Sequence, residues 1–182
     1  MTIENINNLV ELFFVNYQKQ NKNNKLLISL KDKTNHFTWS KTFHSIKKIS
    51  SEIKKYLKKG DRCMLISENR PEWFISDLSV MLSEAITVPA YTTYAERDYE
   101  YIINDCKPKL IFVSNQEQFN KVKNIINKNK FVEKIISFEK LDINHDQYIN
   151  FNNLISNLNY DDESFPKPEL ERKDPSCIIY TS

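Results

Sequence analysis

Two adjacent hydroxyl residues, Thr181 and Ser182, end the chain directly after the apolar run 177–180. Such a run is typical of a buried parallel strand, and ligands of α/β proteins bind at the carboxyl edge of the sheet. Hydroxyls placed there can donate hydrogen bonds to phosphate oxygens, together with backbone N–H groups of a following loop. Taken alone, the pair is more typical of an ordinary strand end. Whether it belongs to a binding site therefore depends on the elements upstream.

The upstream sequence alternates short apolar runs with longer segments of helical periodicity. The predicted strands cover 63–66, 86–88, 110–113 and 134–137, and the predicted helices cover 71–82, 95–105, 116–127 and, more weakly, 148–158. This alternation predicts an α/β fold of layered βαβ units with a mostly parallel sheet.

The first sixty residues precede these units and have their own pattern. Apolar spacing over 6–17 predicts an amphipathic helix, while 26–30 and 37–39 predict a hairpin. Ser40 is expected to cap a second helix, which ends near Gly60 in the left-handed position after its last turn.

Composition excludes several classes of protein. The net charge is +2, from 26 basic and 24 acidic residues, and the basic residues are interspersed with acids rather than grouped as in a nucleic-acid patch. No apolar run approaches the length of a transmembrane span. The 3 cysteines are widely spaced and are expected to be reduced cytosolic thiols, without metal-ligand spacing. With only 1 glycine, the chain cannot hold a complete glycine-rich nucleotide loop.

Two loops after predicted strands carry polar residues. In the first, Asn69 and Arg70 could contact a ligand, although Ser67 or Asn69 is better explained as the cap of the next helix. In the second, Thr92 and Thr93 fit the lining of a pocket and the cap of a helix equally well.

The histidines and Cys106 are poor candidates for catalysis. His36, His44 and His145 lie far apart without a partner at a telling spacing, and we expect them on the surface or in turns. Cys106, before a proline, is expected to be a small packed residue rather than a nucleophile.

Three segments match one family in order and at compatible spacing. DRCMLISENRPEWFISDL, residues 61–78, and EAITVPAYTTYAERDYEYIINDCKPKLIFV, residues 84–113, resemble core blocks of long-chain acyl-CoA synthetases. DPSCIIYTS, residues 174–182, is similar to the approach to the phosphate-binding motif of the AMP-forming adenylating superfamily, YTSG(S/T)TGxPKG. With FTWSKTFHSI, residues 37–46, the resemblance covers nearly the whole chain.

The resemblance implies a truncated N-terminal subdomain of an acyl-CoA synthetase-like large domain. In this interpretation 1–182 is a partial AMP-binding domain, in which 159–175 is a linker leading to a phosphate-loop strand over 176–182. The hydroxyls of Thr181 and Ser182 would begin the loop that binds ATP phosphates, and the resemblance places no catalytic or metal-ligating residue within this chain.

The resemblance also implies a reaction. Such enzymes join a fatty acid carboxylate to the α-phosphate of ATP, release pyrophosphate, and pass the acyl group to the thiol of coenzyme A, with Mg²⁺ screening the phosphate charge. The implied partners are fatty acid, ATP and coenzyme A. The implied location is cytoplasmic, with peripheral membrane contact allowed, and the isolated chain is expected to be inactive.

The chain departs from the family at two positions, and two other functions fit the same sequence. The family often has glycine where this chain has Glu84, and proline where it has Thr92. A ligase for a short-chain, aromatic or amino acid would share the same frame, and a non-catalytic binding module would keep the fold without the site. A dinucleotide-binding Rossmann domain is rejected, because no glycine fingerprint follows a predicted strand.

Overall fold

A parallel sheet with helices on both faces forms the centre of the computed structural model, which describes residues 6–143 and 145–181. The described residues form the strands β1 (Lys25–Ile28), β2 (His36–Thr38), β3 (Arg62–Ile66), β4 (Ile86–Ala90), β5 (Leu110–Val113), β6 (Lys134–Ser137) and β7 (Tyr148–Asn150). Their helices are α1 (Leu9–Lys19), α2 (Trp39–Ile53), α3 (Pro71–Leu82), α4 (Glu96–Cys106), α5 (Gln116–Lys128) and α6 (Phe151–Leu154). Within this part of the chain, no helix has the length and apolar character needed to cross a membrane.

The five-stranded sheet has the order β4-β3-β5-β6-β7, and all of its strand pairs are parallel. From β3 the chain crosses through α3 to β4 on one side and then through α4 to β5 on the other side. The order therefore reverses between β3 and β5, which is where open α/β sheets form a crevice at their carboxyl edge. The predicted α/β class and parallel sheet are confirmed.

Alternating residues of the central strand enter two separate cores. Cys63 and Leu65 face the core that includes α1, α2 and α3, whereas Met64 and Ile66 face the core of α4 and α5. All four side chains are at most 1% exposed. Burying a large apolar side chain contributes about 1.5–3 kcal/mol, so both layers of helices are held firmly to the sheet.

Among the first sixty residues the predicted hairpin is confirmed, whereas both predicted ends of the second helix change. β1 and β2 form the expected antiparallel hairpin. Gly60 adopts the left-handed conformation with φ 82°, but in a separate turn, because α2 ends at Ile53 and the short 3-10 helix after it ends at Tyr56. The cap of α2 is Thr38 rather than Ser40, because the hydroxyl of Thr38 accepts a hydrogen bond of 3.1 Å from the N–H of Lys41. Ser40 already lies inside the first turn of the helix.

The helix predicted over 148–158 is wrong. β7 occupies the first three of these residues and pairs with β6, and only the single turn α6 follows. Asn150 ends the strand and caps α6, since its side chain accepts a hydrogen bond of 3.0 Å from the N–H of Asn152. The free edge of β6 supplies backbone partners, and this tertiary pairing outweighs a weak helical pattern.

The connecting segment, residues 159–175, crosses the α1–α2 side of the molecule without forming a helix or strand. The ring of Phe165 stacks on that of Phe14, with centroids 4.2 Å apart. Lys47 Nζ lies 2.8 Å from a carboxylate oxygen of Asp162. The segment is therefore packed against the domain, and its assignment as a linker leading to a phosphate-loop strand stays a prediction.

Candidate functional site at the carboxyl edge of the sheet

The terminal segment, residues 176–181, lies beside β4 at the outer side of the sheet. The N–H of Thr87 donates to the carbonyl of Ser176 at 3.1 Å, and the N–H of Ile178 donates to the carbonyl of Thr87 at 2.9 Å. These bonds form one parallel bridge between Thr87 and Cys177. The terminal segment therefore runs in the same direction as β4 and ends at the carboxyl edge of the sheet.

The terminal segment is less buried than expected. Cys177 and Ile179 are exposed, and Ile179 is 65% accessible to solvent. The sequence predicts a buried strand, and this is wrong because only one side of the segment is paired and only one of its faces meets the core. Ile178 and Tyr180, on the other face, pack against the core of α4 and α5.

Two tyrosines fix the end of the terminal segment. The hydroxyl of Tyr180 donates to Asp105 Oδ2 at 2.5 Å, and the hydroxyl of Tyr94 donates to the carbonyl of Tyr180 at 3.5 Å. Burial, followed by the hydrogen bond to Asp105, raises the pKa of Tyr180, so its hydroxyl stays protonated and can donate. Thr181 is exposed directly beyond this anchor, and Ser182 lies outside the described residues.

A cleft of about 290 Å³ opens at the carboxyl ends of β3 and β4, and we call it the carboxyl-edge cleft. Its lining is Ser67, Glu68, Asn69, Trp73, Pro89, Ala90, Tyr91 and Thr92. The cleft combines aromatic rings with hydroxyl and amide groups, which is the chemistry expected of a small-molecule site.

The predicted caps of α3 do not form. The N-cap position is Arg70, which makes no side-chain capping bond, and the hydroxyl of Ser67 donates to the carbonyl of Glu68 at 2.8 Å. Ser67 and Asn69 line the carboxyl-edge cleft instead. Pro71, as predicted, takes the first position of the helix.

Thr92 and Thr93 were each expected either to line a pocket or to cap a helix. The N-cap position of α4 is taken by Ala95, whose N–H donates to the carboxylate of Asp98 at 2.9 Å, so neither threonine caps this helix. Thr92 lines the carboxyl-edge cleft, and its carbonyl accepts from Lys121 Nζ at 2.7 Å. Thr93 is exposed.

Arg70 is held by carboxylates near the crevice between β3 and β5. Its guanidinium lies 2.9 Å from Glu72, 3.0 Å from Glu139 and 3.5 Å from Glu68. Burial by itself would lower the pKa of Arg70, but the hydrogen bond and charge of Glu72 outweigh burial and raise it. Arg70 thus connects the loops after β3 and β6. From the sequence it was predicted only as a possible ligand contact.

The remaining candidates are structural. His44, expected on the surface, is 3% exposed inside α2, where its Nδ1 lies 2.8 Å from the carbonyl of Ser40. Cys106 is buried as expected, and burial raises the pKa of its thiol to about 11. Among residues 6–143 and 145–181, no three His, Cys, Asp or Glu side chains come together as a metal site.

Sequence reasoning missed the aromatic contacts that position the end of the chain. Tyr94 and Tyr180 are separated by 86 positions, and nothing in their spacing shows that they meet. Pro89 in β4 was a visible signal that this strand lies toward the edge of the sheet, because a residue without an N–H cannot donate within a central ladder.

Comparison with known proteins agrees with this geometry. The profile of AMP-binding enzymes matches residues 15–182. Luciferin 4-monooxygenase of Photuris pensylvanica is 32% identical over 141 residues, which are 74% of this chain and 25% of that protein. The long-chain-fatty-acid–CoA ligase ACSBG1 of Rattus norvegicus is 25% identical over 113 residues, 62% of this chain and 16% of that protein.

A solved structure shares the fold over the full chain. The anthranilate CoA ligase AuaEII, crystallised with anthranoyl-AMP, superposes with a TM-score of 0.83 at 18% identity, covering 100% of this chain and 34% of that one. The chain therefore spans about a third or less of the proteins it resembles. The profile match over residues 15–182, together with a parallel sheet whose last segment ends at its carboxyl edge, establishes that this chain belongs to the AMP-binding enzyme family.

Proposed function

We propose that the chain is the N-terminal part of an ATP-dependent long-chain fatty acid–CoA ligase. In the first half-reaction the carboxylate attacks the α-phosphate of ATP and pyrophosphate leaves; in the second, the thiol of coenzyme A displaces AMP from the acyl adenylate. The match to AMP-binding enzymes carries the proposal, and the fatty acyl-CoA ligases among the relatives support the choice of acid.

We assign the start of the phosphate loop to Thr181 and Ser182. The support is positional, since the bridge at Thr87 and the anchor at Tyr180 deliver the exposed Thr181 to the carboxyl edge. A threonine hydroxyl at that edge can donate to a phosphate oxygen.

Mg²⁺ belongs to the proposed reaction, and the residues described here do not by themselves fit it. No group of three acidic, histidine or cysteine side chains within 6–143 or 145–181 could hold the ion. In the proposed enzyme Mg²⁺ accompanies the ATP phosphates, and no step performed by this part of the chain is assigned to it.

A second candidate differs from the first in the acid, because the relatives are named for different substrates. They include a luciferin 4-monooxygenase and fatty acyl-CoA ligases, and the structural neighbour carries an anthranoyl adenylate. The second candidate is therefore a ligase for an aromatic or other carboxylic acid. We further propose a cytoplasmic enzyme that contacts membranes peripherally, where long-chain fatty acids partition.

The test is acid-dependent exchange of pyrophosphate into ATP, measured on the protein encoded by the whole reading frame that contains this chain. We expect exchange with hexadecanoate and weaker exchange with anthranilate or an amino acid. Exchange with anthranilate alone would establish the second candidate, and no exchange with any acid would support a binding module instead. The 182-residue chain alone, about a third of the structural neighbour, is expected to give no exchange with any fatty acid.

The role of Thr181 is tested in the same assay. Thr181→Ala should lower exchange roughly 10- to 150-fold, since a hydrogen bond to a charged group contributes about 1.5–3 kcal/mol. The matched control is Thr93→Ala, which removes an exposed hydroxyl from another loop. Equal effects of the two substitutions would contradict the assignment of Thr181.

A further inference from the structure

The pairing between β4 and the terminal segment stops abruptly. Within the described residues it consists of the two hydrogen bonds at Thr87, and residues 178–181 are not part of a strand. The two stretches nevertheless continue side by side, since Tyr94 bonds to the carbonyl of Tyr180 from the loop directly after β4. Something local has to end the ladder after a single bridge.

The backbone of β4 identifies the cause. Thr87 directs both its N–H and its carbonyl away from β3 and toward the terminal segment. Backbone groups alternate sides along a strand with a period of two, so those of Pro89 face the terminal segment as well. A continued parallel ladder would need an N–H at position 89 donating to the carbonyl of Ile178, and proline has none.

Pro89 does not disrupt the pairing of β4 with β3. Pro89 stands opposite Leu65 in the register of β3 and β4, and β3 bonds to the neighbouring positions of β4, whose groups face inward. The ring nitrogen therefore occupies the outer side of the strand alone. The bridge at Thr87 fixes where the terminal segment begins to run alongside β4, and Pro89 fixes where it ceases to be bonded to it.

We propose that Pro89 is a positioning residue that releases the chain from the sheet at Ile178, so that the backbone beyond it is available to an anion. The N–H of Tyr180 points to the side of β4 and would be used by the carbonyl of residue 89 in a continued ladder. Left out of the ladder, the chain at 180 and 181 can turn and present N–H groups to phosphate oxygens, as anion-binding loops after strands do. The anion-binding half of this inference rests on the proposed function, whereas the release of the chain does not.

Amide hydrogen exchange followed by NMR on the 182-residue chain tests the release. In the wild type, the amide of Ile178 should be protected and that of Tyr180 should exchange about tenfold faster or more. In Pro89→Ala, the new amide at position 89 should be protected, and the amide of Tyr180 should slow about tenfold. The amides of Ile179 and Thr181 face away from β4 and should keep their wild-type rates.

Pro89→Gly restores the same N–H without a β-carbon and serves as the second variant if the alanine variant folds poorly. Pro108→Ala is the control, because it removes a buried proline from the connection between α4 and β5 rather than from β4. Two results would overturn the proposal: a wild-type Tyr180 amide as well protected as that of Ile178, or an unchanged Tyr180 amide in the alanine and glycine variants.

The functional half is tested by pyrophosphate exchange in the protein from the whole reading frame. Pro89→Ala should raise KM for ATP and lower kcat by about tenfold together, while Pro108→Ala leaves both within about twofold. If the ladder extends in the variant but exchange is unaffected, the link to phosphate binding is overturned. If the wild type shows no exchange with any acid, the proposed function fails and the NMR result on Pro89 stands by itself.

Discussion

The hydroxyl of Tyr180 donates a 2.5 Å hydrogen bond to Asp105 and so joins the terminal segment to the last turn of α4. A carboxylate acceptor strengthens such a bond. The ring of Tyr101 packs edge-on against that of Tyr180, with the two planes at 90°. The terminal segment is thus attached at two places, by its backbone at Thr87 and by this side chain.

Removing the hydroxyl of Tyr180 should loosen that attachment. Tyr180→Phe keeps the ring and should lower the free energy of unfolding by about 0.5–1.5 kcal/mol, measured by urea denaturation. Tyr101→Phe is the matched control, because Tyr101 is 66% exposed and its loss of a hydroxyl should change stability by less than about 0.5 kcal/mol. Equal changes in the two variants would show that the contact with Asp105 contributes nothing.

Glu84 is expected to be a site where glycine is tolerated or preferred. It adopts φ 64°, a left-handed conformation that costs a residue with a β-carbon about 1 kcal/mol and costs glycine nothing. Its carboxylate also lies 3.1 Å from Lys54 Nζ, an exposed ion pair that contributes about 0–1 kcal/mol.

Two substitutions separate these effects. Glu84→Gln removes the charge and keeps the strained backbone, so it should lower stability by up to about 1 kcal/mol. Glu84→Gly removes both and should be about 1 kcal/mol more stable than the glutamine variant in urea unfolding. A glycine variant less stable than the glutamine variant would show that the backbone at this position is not strained.

Acid should loosen the connecting segment. The hydrogen bond from Lys47, followed by that from Ser164, holds the pKa of Asp162 well below its ordinary value of 3.8. Since the folded-state pKa is lower than the unfolded one, this contact stabilises the fold at pH values above 3.8 and is lost as the pH falls through the folded value. Asp174 behaves in the same direction, through the N–H of Glu171 and then Lys59.

Thermal unfolding at two pH values tests this dependence. Asp162→Asn should have a lower Tm than wild type at neutral pH, and the difference should shrink as the pH falls below 3.8 toward the lower pKa of the folded state. Asp161→Asn, at the neighbouring exposed position, is the control and should match wild type throughout. A difference that persists at acid pH would assign the effect to packing rather than to charge.

The three thiols should react at very different rates. Burial raises the pKa of Cys63 and, to about 11, that of Cys106, whereas Cys177 is exposed. In the native protein an aromatic disulfide reagent near pH 8 should therefore react quickly with one thiol only. Cys177→Ser should abolish the fast phase, and its survival would mean that one of the buried cysteines is accessible.

Features of the fold and of the candidate site could be predicted from the sequence where they depend on neighbouring residues in the chain. Pro71 at a helix start acts through local geometry, and that prediction is confirmed. The left-handed conformation of Gly60 is also confirmed, although the helix before it ends earlier than predicted. The parallel sheet followed from the alternation of short strands and helices, also a local signal.

Apart from the helix caps, most of the errors and omissions involve partners distant in sequence. Tyr148 joined a strand because β6 offers it a backbone partner, and the apolar run 177–180 is half exposed because only β4 adjoins it. The carboxylates that occupy Arg70 come in part from Glu139, 69 positions away. The phosphate-binding role of Thr181 and Ser182 came from family resemblance and stays a prediction.

The bridge between Thr87 and Cys177 also has a consequence for synthesis on the ribosome. The two residues are 90 positions apart, so at about 5–20 residues per second β4 waits roughly 5 to 18 seconds for its outer neighbour. During that interval its edge could pair with another nascent chain. We expect a proline on the outward side to make that edge a poor template for such pairing, so that Pro89 would also lower the tendency of the nascent chain to aggregate.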